Sequence, residues 1–497
     1  MDFAHRSGIL LHITSLPSSY GIGDLGPDTY AWLDFMAETR TRWWQVLPLG
    51  PTGYGDSPYQ SYSSFAGSPL LISPALLQED GLIDMEHLEN SPIFPTQRVD
   101  FTAVTNWKRG LFQVAFMRLN EFPKLRKEFE KFCSQHAHWL DDYSLFMTIK
   151  TQHEGRSWTD WPAPLRDRQS KALAKARRDY AATQSYFAFQ QFLFFRQWGR
   201  LRKRMAALNI GLIGDLPIYV AHDSADIWCN RELFELDKRG RPLRVAGVPP
   251  DMFSDTGQLW GNPIYRWKAH KRQDYAWWLE RLKAVLDMVD VLRLDHFRGF
   301  ADYYAIPAEE DTAMNGTWEL GPGADFFDAM KKALGDLPLI AEDLGGHNSP
   351  LVQQLREQFK LPGMKLFQFA FDEDIHHPFL PHNYPQNCVA YTGTHDNDTT
   401  RGWYKNAPKR ERKFCRQYLE SDGKHIAADM LRRLWASPAT LTVAPLQDFL
   451  ELGSAARMNY PGRALGNWGW RVEGSAFTPE LAKRIAALNK DYGRSAS

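Results

Sequence analysis

Asp295, Glu342 and Asp396 each stand where a short apolar run stops, in VDVLRLDHFRGF, LPLIAEDLG and AYTGTHDND, and Asp215 does the same in IGLIGDLP. A carboxylate at the mouth of a buried strand costs solvation free energy unless something pairs with it. Arg293 lies two residues before Asp295, hence on the same face of a strand. A guanidinium there stabilises carboxylate charge and leaves a nucleophile usable at neutral pH. The same pair would serve equally as a structural cap on a strand end. Glu342 directly follows apolar strand residues, where burial and a neighbouring negative charge favour a carboxyl that keeps its proton. One ionised and one protonated carboxyl match the needs of glycosyl transfer, which takes an attacking group and a proton for the departing oxygen. A divalent-cation site uses similar residues and stands as the alternative reading of such a cluster.

The elements that would bring these acids together are strands alternating with helices. Apolar, β-branched runs occur near residues 8, 43, 211, 290, 338, 364, 389 and 440. Helical patterns between them, such as Asp28–Thr39, Tyr275–Asp287 and Pro350–Phe359, give the rhythm of a parallel sheet. Eight such strands with reactive residues at their ends predict a (β/α)8 TIM barrel, whose sites lie at the C-terminal face. The first strand is expected over Ser7–Leu16 and the last over Thr440–Leu446. From about Leu70 to Leu208 the rhythm breaks, and Trp107–Cys133, Trp139–Gln152 and Arg166–Leu208 read as helices. The expected division is therefore a barrel from 1–69 and 209–497 with a large, mostly helical insertion over 70–208, its Phe187, Phe189, Phe192, Phe194 and Phe195 serving packing. Gly50–Tyr62, rich in Gly, Pro, Ser and Tyr, follows a strand end and is placed to grip a ligand. Val245–Tyr265 is too long for an ordinary connection and reads as a lid loop, with Trp260 stacking on a substrate or anchoring the loop. Thr478 and Pro479 open a terminal helix, and Ser495–Ser497 are expected to fray.

Composition narrows the function. The 497 residues carry 59 basic and 59 acidic side chains, so no positive excess is present to hold a phosphate backbone, and nucleic acid is not an expected partner. The 18 Trp, 19 Tyr and 30 Phe suit sugar faces, although most must form core. Cys133, Cys229, Cys388 and Cys415 lack metal or disulfide spacing and are expected as reduced thiols in a cytoplasmic protein. The start, MDFAHRSGILLHITSLPSS, lacks a cleavage pattern, and no run approaches a membrane span. Walker, zinc-protease and nucleophile-elbow motifs are absent from the sequence, as is a GxGxxG with the downstream acid that dinucleotide binding needs.

SGILLHITSLPSSYGIGDLG, GYGDSPYQS, IGDLPIYVAHDSAD, PPDMFSDTGQLWGNPIY, RLDHFRGF, GTWELGPG, LIAEDLG, TGTHDNDT and RMNYPG run in this order nearly from end to end. In these motifs the chain resembles the 4-α-glucanotransferases, or amylomaltases, of the α-amylase superfamily. The resemblance implies a barrel with insertions and no C-terminal β-domain, acting on malto-oligosaccharides and other α-1,4-glucans by a retaining double displacement. Asp295 would be the nucleophile, Glu342 the general acid/base, and Asp396 the third acid, distorting the bound sugar through its hydroxyls. Arg293, His296 and His395 would line the subsite of the covalent intermediate, with Tyr59, Asp215, Trp260 and Asn459 holding neighbouring glucose units. No cofactor, resident metal or membrane partner is implied, and a monomer or weak homo-oligomer is expected. An α-amylase-like hydrolase would use the same residues with water as acceptor.

Overall fold

Eight strands of the chain pair in parallel until the last meets the first. In the computed structural model, which describes residues 3–250, 254–346 and 349–496, the strands are β1 (Arg6–Leu10), β2 (Trp43–Gln45), β3 (Gly211–Pro217), β4 (Arg244–Val248), β5 (Gln258–Pro263), β6 (Val291–Asp295), β7 (Asp302–Pro307), β8 (Thr317–Leu320), β9 (Leu339–Ala341), β10 (Gly363–Leu366), β11 (Cys388–Tyr391) and β12 (Leu441–Pro445). The closed barrel runs β1-β12-β11-β10-β9-β6-β3-β2. Its strands are buried almost throughout, which explains why they are written in continuous apolar residues rather than in alternation. Gly211 is there because Trp43 fills its space: a Cβ on Gly211 would lie 2.5 Å from the indole. The register sets Asp215 beside Arg293, and Arg293 beside Ile340, so the polar strand ends rise at one rim.

Several strands are shorter than their apolar runs. The first ends at Leu10, after which Ile13–Ser15 form a 3-10 turn, so Ser7–Leu16 is a strand only over its first part. Barrel closure needs only a few paired residues per strand.

The helical stretch holds Phe101–Arg118, Pro123–Gln152, Ser170–Asp179 and Ala181–Ala207. The break expected near residues 134–138 is not there. Pro123–Gln152 is one continuous helix, because Ser134, Gln135, Ala137 and His138 face solvent and no Gly or Pro interrupts it. Phe189, Phe192 and Phe194 are buried in the main core and Phe195 packs against it. Gln191 and Gln197 turn inward from Ala181–Ala207 and pair, through both amide atoms, with the backbone of Gly67 and Ser73. These bonds fasten the helix to the segment that follows β2.

The stretch expected to be a lid loop is largely β-structure. β4 and β5 form an antiparallel hairpin, and with β7 and β8 they build a second sheet in the order β5-β4-β7-β8. Its strands carry Gly247, Gly261, Pro263 and Pro307, which hide the pattern in the sequence. Asp251, Met252 and Phe253 of this stretch lie outside the described residues. The C-terminal helix Pro479–Asp491 starts as expected, with the Thr478 side chain accepting from Leu481 N. The tail beyond it is anchored rather than frayed: Arg494 is fully buried and donates to Trp435 O and Ser437 O, Ser495 O accepts from Arg6, and Ala496 N donates to Arg40 O. Ser497 lies outside the described residues.

Candidate active site

Arg293 is the hub of the rim. One guanidinium nitrogen donates to both oxygens of Asp215 at 2.8 Å, and another lies 2.9 Å from Asp295. Arg293 and Asp215 are buried, whereas the Asp295 side chain keeps 26 % of its surface exposed. The inner pair therefore serves as a foundation, and the outer acid faces the opening. Burial alone would lower the pKa of Arg293, but Asp215 and Asp295 raise it well above the ordinary value, so the side chain stays charged. Burial pushes the Asp215 carboxyl upward, opposed by that guanidinium.

The network continues sideways. The Tyr59 hydroxyl donates to Asp215 at 2.8 Å and lies 2.8 Å from His395 Nε2. A hydroxyl has one proton, and here Asp215 takes it, so the His395 nitrogen must supply its own. His395 Nε2 also lies 3.3 Å from Asp396, and Asn459 donates to the other Asp396 oxygen at 2.6 Å. Desolvation acts upward on Asp396, yet His395 and Asn459 hold its carboxyl well below the usual range. Against the lowering effect of burial, Asp396 raises His395. Beneath them His12 accepts from Leu47 N, and burial together with His395 pushes its pKa down to about 3, so it stays neutral.

Glu342 reaches the same mouth from β9. Immediately after Asp295 the chain turns through His296 in the left-handed region (φ 50°), a conformation that costs a non-glycine residue about 1 kcal/mol or more. The turn aims the His296 N–H at Glu342 Oε2, 2.8 Å away, and Leu344 N donates to Oε1 at 2.9 Å. The residue that follows one acid thus holds the other. Burial raises Glu342 to about 8, with Asp295 adding to the rise while Arg293 and the Leu344 N–H oppose it. Above the turn, the Trp260 ring meets His296 edge-on at 4.9 Å and is itself only partly buried. Burial also brings His296 down to about 4.

All ten residues singled out from the sequence thus fall into one constellation. Arg457 was missed: it donates to Asp396 O and to Asn459 O, both at 2.6 Å, and fixes the loop that carries Asn459. Its position in RMNYPG, two residues before Asn459, was the available signal. Among the described residues no group of three or more His, Cys, Asp or Glu side chains could hold a metal ion. The acids point at cationic and N–H partners of the protein instead.

A family model described as 4-alpha-glucanotransferase matches residues 11–477. A curated 4-alpha-glucanotransferase of Thermus thermophilus is 48% identical over 98% of this chain and 99% of its own length. The chain belongs to the 4-alpha-glucanotransferase family. One from Synechocystis is 47% identical over 98% of both chains. Among solved structures, an amylomaltase from Streptococcus agalactiae in complex with acarbose superposes with a TM-score of 0.96 at 37% identity, covering 99% of each chain. An amylomaltase from Corynebacterium glutamicum, 16% identical, shares the fold at a TM-score of 0.74 over 99% of this chain and 75% of its own. The protein is accordingly an enzyme, a retaining 4-alpha-glucanotransferase built on an α/β barrel. No helix of the described residues is long and apolar enough to cross a membrane.

Proposed function

We propose that Asp295 is the nucleophile and Glu342 the general acid/base of this glucanotransferase, with Asp396 the third acid. The observation that carries the assignment is the pairing of a partly exposed, arginine-bound Asp295 with a Glu342 held at about 8 by burial, one residue's N–H away. An α-1,4-glucan lies across the mouth. Asp295 attacks the anomeric carbon, the bond to the departing 4-oxygen breaks, and the Glu342 proton passes to that oxygen. The glucan is left as an ester on Asp295. An incoming 4-hydroxyl then gives its proton to the Glu342 carboxylate while its oxygen takes the anomeric carbon and Asp295 departs. Two inversions give net retention.

The remaining residues act on the bound sugar. Arg293, 2.9 Å from Asp295, orients it for attack and stabilises the carboxylate as it leaves. Asp396, charged and 42 % exposed along its side chain, accepts hydrogen bonds from sugar hydroxyls, and His395 and Asn459 hold it in place. Trp260 offers a ring face to the leaving or accepting unit, and Tyr59 and Asp215 floor the donor side. Transfer rather than hydrolysis requires that a sugar outcompete water, present at roughly 55 M, for the ester. The β4–β5 hairpin and the loop after Arg457 supply that cover. Donors and acceptors are malto-oligosaccharides and longer α-1,4-glucans, worked on without a cofactor by a monomer or weak homo-oligomer. Four unpaired cysteines fit a cytoplasmic setting.

The test is Asp295→Asn with maltotriose. Loss of turnover by on the order of 10⁴-fold or more, with sugar binding retained in calorimetry, is the expected result. Turnover within about tenfold of the parent removes Asp295 from the role.

A further inference from the structure

Arg298 lies in RLDHFRGF but touches none of the three acids. Its guanidinium makes three separate connections. Nε donates to Asp302 Oδ1 at 2.6 Å and Nη2 to Oδ2 at 3.3 Å, at the start of β7. Its plane stacks on Trp318 of β8, 3.6 Å from the ring centre. Nη1 donates to the carbonyl of Gly345 at 2.9 Å. Gly345 sits in the 3-10 turn Leu344–Gly346, and the first N–H of that turn is the one that donates to Glu342 Oε1.

We infer that Arg298 is a positioning residue for Glu342, clamping the Leu344–Gly346 turn to the second sheet so that the Leu344 N–H stays on the carboxyl through the proton transfers. The geometry favours this over a purely surface ion pair. An i,i+4 pair with Asp302 alone would leave the fork free to swing, whereas the stacked indole and the carbonyl fix its plane. Lysine offers one point charge and cannot make the same three contacts at once. The inference rests on Glu342 being the acid/base.

Two donors separate the effects. Maltotriose needs a proton on its leaving oxygen, whereas fluoride leaves maltosyl fluoride without one, so formation of the glycosyl ester from the fluoride bypasses the acid. The variants are Arg298→Met and Arg298→Lys, with Glu342→Gln as reference and thermal melting to confirm folding. For Arg298→Met we expect kcat on maltotriose to fall at least tenfold with KM changed less than threefold. Ester formation from the fluoride should remain within threefold of the parent. The basic limb of the pH profile should move upward, because a carboxyl that loses an N–H donor binds its proton more tightly. Arg298→Lys should recover part of kcat. If Arg298→Met lowers both donors equally, or leaves the basic limb in place while only the melting temperature drops, Arg298 is structural and the inference fails. Should Arg298→Met not fold, the same two readouts on Arg298→Lys decide. If Glu342→Gln itself spares maltotriose, the assignment of Glu342 is what fails.

Discussion

Replacing Glu342 by Gln should make the protein more stable at neutral pH and less stable in acid. The native carboxyl holds its proton up to about 8, against an ordinary value of 4.5. Folding therefore binds a proton that the unfolded chain releases above 4.5. This contribution is fully present below 4.5 and is lost progressively as pH rises through about 8. With ~1.36 kcal/mol for each pH unit between those limits, wild type at pH 7 has given up about 3 kcal/mol that a glutamine, which cannot ionise, does not lose. Glutamine brings its own cost. His296 N and Leu344 N both donate to the carboxyl, and an amide offers only one oxygen, so one N–H is left facing an NH2 group. That costs about 2 kcal/mol whatever the pH. The two effects cancel near ~pH 6. Thermal melting of both proteins from pH 5 to pH 9 reads the crossing directly, with Glu342→Gln melting lower at pH 5 and higher at pH 8. A difference that does not vary with pH, or that grows in favour of wild type as pH rises, would refute the reasoning. The wild-type activity profile should show its basic limb at about 8 for the same reason.

Asp396→Asn keeps the shape and the Asn459 contact but removes the charge that faces His395, so kcat on maltotriose should drop on the order of 10–100-fold, the worth of one charge-assisted hydrogen bond felt in the transition state. A rise in KM with kcat unchanged would show that Asp396 only binds. Shortening the hairpin between Val248 and Gln258 to a tight turn should raise the ratio of hydrolysis to transfer, followed as new reducing ends against released glucose; an unaltered ratio assigns water exclusion to another part of the mouth.

Much of the site was legible because barrel chemistry leaves a local trace. A buried parallel strand must be apolar, so a charged residue at its end stands out against the run before it, as Asp215, Asp295 and Glu342 do. The period of two placed Arg293 on the face of Asp295 with no further information. The second sheet left no such trace. β4, β5 and β8 are short and carry glycine, proline and exposed residues, and their stability comes from partners far along the chain, such as Tyr304 pairing with both Gly247 and Trp318. The anchored C-terminal tail was hidden for the same reason, since Arg494 finds its carbonyls on Trp435 and Ser437.

The sequence by itself determined the eight strands and the acids that follow them, because burial and strand period act on neighbours in the chain, and its ordered motifs carried the resemblance to the family. Only the tertiary structure decided which partners each acid has. Arg293 chooses Asp215 as its buried partner and reaches Asp295 at the opening, and a left-handed turn at His296 turns an amide toward Glu342. Charge states depend on distance and on exclusion of water, and both are properties of the closed barrel rather than of any stretch of sequence.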